Sequence, residues 1–149
     1  MTTDAWLAIA HHLAVFGVFA VLVVEWALVR PGIDAEDVRR IARVDAAYGL
    51  LAVAVLAAGF ARVFAGDKPT DFYFDNPVFW AKLGAFATVG LLSIGPTIRY
   101  LRWRRAAAAD DAAPDAGEVT ATRRTVGLEL AIFAAIPALA AVMARGIGL

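Results

Sequence analysis

The sequence predicts an all-α, polytopic membrane protein: a four-transmembrane-helix antiparallel bundle forming a single membrane domain over residues 1–149. Three observations predict it. Of the 149 residues, 61% are hydrophobic and 19% charged, where a soluble domain is roughly half apolar and a quarter charged. The mean hydropathy is +0.68. Four apolar windows, at about residues 5–29, 42–64, 78–98 and 125–144, each reach the roughly 20 residues that cross a bilayer. Short links join the first three windows, so neighbouring spans run antiparallel.

The first span follows MTTDAW, which has Asp4 where a signal peptide carries basic residues. Its apolar run also exceeds an h-region, so the span is expected to be retained. Pro31-Gly32 ends it, because proline cannot continue the hydrogen-bond ladder. Asp34 and Asp37, ahead of Val38 to Ile41, predict a capped restart leading into the second span. Gly66, Asp67 and Pro69 stop that span. The stretch DKPTDFYFDNP, residues 67–77, forms a loop whose Phe72, Tyr73 and Phe74 suit an interfacial aromatic belt. Asn76-Pro77 reads as an N-cap with proline at the first helical position. Pro96 and Pro137 should bend or locally open the third and fourth spans. Residues 106–121, AAAADDAAPDAGEVTA, read as a flexible acidic linker. Trp103 amid Arg102, Arg104 and Arg105 reads as an interfacial anchor with snorkelling arginines rather than a nucleic-acid site.

The formal net charge is zero, but its distribution is informative. Arg30, Arg39, Arg40 and Arg43 lie between spans one and two. Arg99, Arg102, Arg104, Arg105, Arg123 and Arg124 surround the link between spans three and four. Only Arg62, Lys68, Lys82 and Arg145 remain of the 14 basic residues. The positive-inside rule therefore expects both arginine-rich loops in the cytoplasm and both termini outside. With no cysteine in the chain, disulfides, thiolate metal sites and thiol redox chemistry are excluded. No Gly-rich nucleotide motif, catalytic triad or HExxH spacing is present, so no catalytic residue is assigned.

Charged side chains in hydrocarbon are costly and normally face protein or water. Here they fall into two layers separated by about 15–20 Å of apolar chain. One contains Glu25, Asp45 and Glu129, with Arg43, Arg123 and Arg124 near the membrane face. Static pairing of each acid with a nearby arginine is the leading expectation. A functional acid at Glu25 or Glu129, exchanging protons, is the alternative.

The other layer contains His11, His12, Arg62, Lys82 and Arg145, the residues expected to bind a cofactor or anion if anything does. The stripe His11, Val15, Val18, Leu22, Glu25 should look into the bundle, leaving His12 toward an adjacent helix. Either histidine fits a hydrogen bond to a backbone or tyrosine oxygen, a haem or metal ligand, or a proton relay. Both lie on span one, so haem would need one histidine with Lys82, Tyr48 or a second subunit opposite. Zinc would need Asp71 or Asp75 from the loop. Lys82 fits either snorkelling or an anion or propionate clamp with Arg62 and Arg145. Asp67, Asp71, Asp75 or a ligand would neutralise such a clamp.

HHL in span one, RRIARVDAAYGL opening span two and FYFDNPVFWAKL opening span three carry a resemblance. So do LLSIGPTIRYLRWR at the exit of span three and LELAIFAAIPALAAVMARG in span four. Together they resemble the DUF2214 family, over almost the whole chain apart from 106–121. This resemblance implies a small multi-pass protein of the bacterial plasma membrane, the cell inner membrane, and carries no activity. A more distant similarity is to the group of copper-resistance protein D and the HemJ-type protoporphyrinogen oxidase, which places a histidine in its first helix. That oxidase also has a histidine two residues before a lysine opening its third helix; here Trp80 holds that place before Lys82.

Three readings follow. One is an integral membrane protein of undefined activity whose charged residues are mainly structural. Another is a haem-associated or redox membrane protein using His11 or His12 near the outer face. The third is an oligomeric proton-coupled carrier, expected as a homodimer because four helices leave little room for alternating access. The lipid bilayer is a partner in all three, nucleic acid in none, and haem or another anionic ligand in the second.

Overall fold

Helices account for nearly all of the chain. The computed structural model describes residues 2–110 and 113–146. In order come α1 (Thr3–Leu28), α2 (Ala35–Ala65), the single turn α3 (Asp71–Phe74), α4 (Pro77–Asp110) and α5 (Ala116–Ala144). The four long helices are each long and apolar enough to cross a membrane. The most extensive packing joins α1 to α2 and α4 to α5; contacts of α2 with α4 and of α1 with α5 close the ring. Every packed pair of long helices is antiparallel.

Local chemistry sets the ends. Thr2 caps α1 by accepting from the Ala5 N–H at 3.3 Å. At the turn after α1, Gly32 adopts φ 84°, a left-handed conformation that favours glycine. Asp34 then caps α2, its carboxylate accepting the Asp37 N–H at 2.8 Å. That bond holds the Asp34 carboxyl below its usual range. Its share of stability is therefore present above the unfolded-state pKa and lost as pH falls through the folded one. Asn76 accepts the Val78 N–H at 2.8 Å, so α4 opens with the expected Asn-Pro pairing. Both α4 and α5 continue through Pro96 and Pro137.

Helices α2, α4 and α5 exceed their apolar windows at the arginine-rich end. With 34 residues, α4 is about 50 Å long, against roughly 30 Å of hydrocarbon. Residues 106–110 complete α4 and residues 116–121 open α5, so most of the segment read as a linker is helix. Its alanines are strong helix formers, and Asp115 caps α5 by accepting the Gly117 and Glu118 N–H groups. Residues 111 and 112 of that segment lie outside the described residues.

Trp103 is not the interfacial anchor read from its neighbours. It is buried, and its indole N–H donates to Glu118 at 3.0 Å. Arg102 pairs with the same carboxylate. One linker acid thus joins the extension of α4 to that of α5.

Two apolar clusters form the core. Ala14, Val18, Leu22, Tyr48, Val55, Val89, Val126 and Phe133 fill the middle of the bundle. Val29, Ile33, Val38, Ile41, Tyr100, Trp103 and Val119 close the arginine-rich end. Large apolar side chains such as Leu50 and Leu91, 74% and 70% exposed, point outward. That is the surface expected of helices that face lipid, where small residues and interhelical hydrogen bonds, not hydrophobicity, drive association.

Arg123 of α5 holds the C-terminus of α1. Its guanidinium donates to the carbonyls of Trp26 and Val29 and lies 3.9 Å over the Trp26 ring. The last carbonyls of a helix have no intrahelical donor, and a cation there also complements the helix dipole. Replacing Arg123 with Met is expected to destabilise the protein by about 1.5–3 kcal/mol, as for loss of a charged hydrogen bond. Reversible unfolding in mixed micelles measures this; an unchanged midpoint would contradict the assignment.

Candidate functional site

At the end carrying both termini, all four long helices bound a half-open cavity of about 390 Å³. Its walls are apolar, with Val15, Phe86, Phe133 and Ile136 among them. The polar groups that reach it are His11 and His12 from α1, Arg62 from α2, Lys82 from α4, and Tyr73 from α3. Four of the five residues singled out from sequence therefore come together. Arg145 does not join them: it follows the last turn of α5, is exposed, and lies off the cavity lining. Of the three cations expected at one level, Arg62 and Lys82 line the cavity and Arg145 does not.

His11 is fixed by a neighbouring helix. Its Nδ1–H donates to the Val55 carbonyl at 3.1 Å, which leaves the lone pair of the neutral ring on Nε2. The space for the ring comes from Gly59 on α2: a Cβ there would stand 3.2 Å from His11 Cε1. His12 donates instead to Ala8, one turn back on its own helix, at 2.6 Å. The two rings meet edge to face at 5.9 Å.

The two cations have different partners. Arg62 Nε lies 3.7 Å from Asp4 Oδ1, so the neutralising acid comes from the start of α1 and not from Asp67, Asp71 or Asp75. Neither of those two atoms has a hydrogen bond among the described residues. Lys82 is half-buried and pairs with no carboxylate among the described residues. Its ammonium lies 5.9 Å from the Phe79 ring and within electrostatic range of Arg62. Above the cavity, Tyr73 packs against Phe72 and Phe79. Trp80 donates to the Phe74 carbonyl at 2.9 Å, is exposed, and stays outside the lining.

The acid layer at the other end departs further from expectation. Glu25, Asp45 and Glu129 have no arginine or lysine within ion-pair distance among the described residues. Tyr100 donates to Glu25 at 2.8 Å, and Thr97 donates to Asp45 at 2.8 Å. Three nearby arginines are engaged elsewhere: Arg123 by α1 carbonyls, Arg99 by the Thr122 hydroxyl at 3.1 Å and Arg43 by the Arg39 carbonyl at 3.3 Å. Among the described residues, no group of three or more His, Asp or Glu gathers to hold a metal ion.

Sequence reasoning missed Asp4 and Gly59. Each had a signal: antiparallel spans one and two bring residues 4 and 62, and 11 and 59, to shared levels. Gly59→Val should close the notch and break the His11–Val55 bond. Nitrogen-15 spectra of histidine-labelled protein should then show His11 losing its fixed Nδ1–H tautomer while His12 keeps its own. An unchanged His11 resonance would contradict the notch.

No curated protein and no solved structure matches the chain significantly. Residues 3–148 do match a family described as "Predicted membrane protein (DUF2214)". That match extends over nearly the whole chain, in keeping with the four long apolar helices: the protein belongs to the DUF2214 family of predicted membrane proteins.

Proposed function

We propose that the protein binds an anionic, largely apolar ligand in the cavity between its four helices. One observation carries this reading: a half-buried ammonium, Lys82, without an acidic partner among the described residues, set in apolar walls beside a paired Arg62. A volume of about 390 Å³ falls in the range of small-molecule sites. An amphiphile would place its carboxylate or phosphate at Lys82 and its apolar body against Phe86, Phe133 and Ile136. Phe79, Tyr73 and the belt around α3 would limit access of water to the charged end. With both arginine-rich segments in the cytoplasm, as the positive-inside rule expects, the cavity opens in the outer half of the plasma membrane and both termini lie outside.

Haem is a second reading, supported by the histidine geometry. A metal-binding imidazole commonly donates its other nitrogen to a backbone carbonyl, as His11 does to Val55. His11 would hold such a group through its second ring nitrogen, with Lys82 and Arg62 at its propionates, and the group would supply one-electron chemistry. The distant likeness to the copper-resistance protein D and HemJ-type group supports the histidine alone. Trp80, at the place of the second histidine, lies outside the cavity lining.

Titration of oleate and methyl oleate into the protein in nanodiscs separates the charge from the chain. Wild type should prefer the acid, and Lys82→Gln should weaken oleate by roughly tenfold, about 1.4 kcal/mol, with the ester unchanged. Equal binding of acid and ester by both proteins would overturn the anion reading. Added haem, followed by its Soret absorption with and without His11→Ala, decides the second.

A further inference from the structure

We propose that Glu25 and Glu129 form a proton-binding site inside the bundle, distinct from the cavity. The two acids come from α1 and α5, which pack together, and are 2% and 1% exposed. Glu129 lies within electrostatic range of Glu25 and Asp45. Glu25 accepts the Tyr100 hydroxyl at 2.8 Å. Glu129 Oε1 is buried and has no hydrogen-bond partner among the described residues. A carboxylate oxygen enclosed without a donor is costly, and an ionised one without a cation more so. The missing partner is the observation that points to a ligand.

The charged and titratable groups around the pair come from every packed helix. From α2 come Asp45, half-buried on Thr97, and the buried phenol of Tyr48. From α4 come Tyr100 and Arg99, the latter engaged by Thr122. From α5 comes Arg123, engaged by the α1 carbonyls. None of these arginines lies within ion-pair distance of Glu25 or Glu129. The described residues also lack the ligand count for a metal ion. A proton needs neither a coordination shell nor a preformed cavity.

The step balances simply. Hydronium gives a proton to a carboxylate oxygen, an O–H bond forms, and water leaves; the reverse step discharges the site. Once protonated, either carboxyl has a donor to offer the other layer members, and Asp45, the least enclosed acid, is the natural exchange partner. The apolar cluster of Val29, Ile33, Val38, Ile41, Tyr100, Trp103 and Val119 closes the bundle on the arginine-rich side. Exchange through that plug should be slow.

Infrared spectroscopy of the full chain in lipid vesicles tests this without any ligand. Wild type should show a protonated-carboxyl C=O band at neutral pH that shifts in heavy water and disappears reversibly on alkalinisation. Glu129→Gln or Glu25→Gln should remove part or all of that band. Absence of the band in wild type at neutral pH overturns the proposal. So does a band of undiminished intensity in both folded Gln variants, or one that Asp45→Asn alone removes. Should either Gln variant fail to fold, the wild-type titration and the remaining variant decide.

Discussion

Hydrocarbon offers no partner to a charge or to a free peptide group, and most of this structure can be understood as a response to that constraint. Backbone polarity is met within four long helices. Their ends are met by Thr2, Asp34, Asn76 and Asp115 at the N-termini and, for α1, by an arginine from α5. The side chains that cannot be apolar are drawn to two levels and turned inward. Between those levels lies the central core of Val18, Leu22, Val55, Val89, Val126 and Phe133.

The two levels differ in sign and in completeness. Near the termini the polar groups are basic, and Asp4 offsets only Arg62. Near the arginine-rich end the buried groups are acidic, held by hydroxyls of Tyr100 and Thr97 rather than by cations. Arginines abound there, yet Arg123 caps carbonyls, Arg99 bonds a hydroxyl, and Arg30, Arg40 and Arg102 pair with surface acids. An arginine that satisfies two helix-end carbonyls and stacks on an indole is a structural clamp. The same residue cannot also neutralise Glu129 several residues away. The division of labour leaves one level short of negative charge and the other short of positive charge.

The architecture was legible in the sequence because it follows from length and hydropathy. Spans, antiparallel order, the Asp34 cap and the Asn76-Pro77 start all rest on local signals, and so does the convergence of His11, Arg62 and Lys82 on one level. What was illegible depends on side-chain choice between partners. Arg123 had an acid six residues away and went to α1 instead, because unpaired carbonyls compete for the same guanidinium. The alanines at 106–109 looked like low complexity, although alanine is the best helix former once a cap such as Asp115 starts the next helix. Arg145 shared a level with the cavity on paper, but the helix ended before its side chain could turn inward.

On the proposed reading, the cavity near the termini takes an anionic amphiphile through Lys82. Native mass spectrometry of the protein released from lipid nanodiscs tests it most directly, since it weighs whatever the cavity retains. Wild type should retain an anionic amphiphile, and Lys82→Gln should lose it. Retention of only neutral or zwitterionic lipid, equally by both proteins, would contradict it.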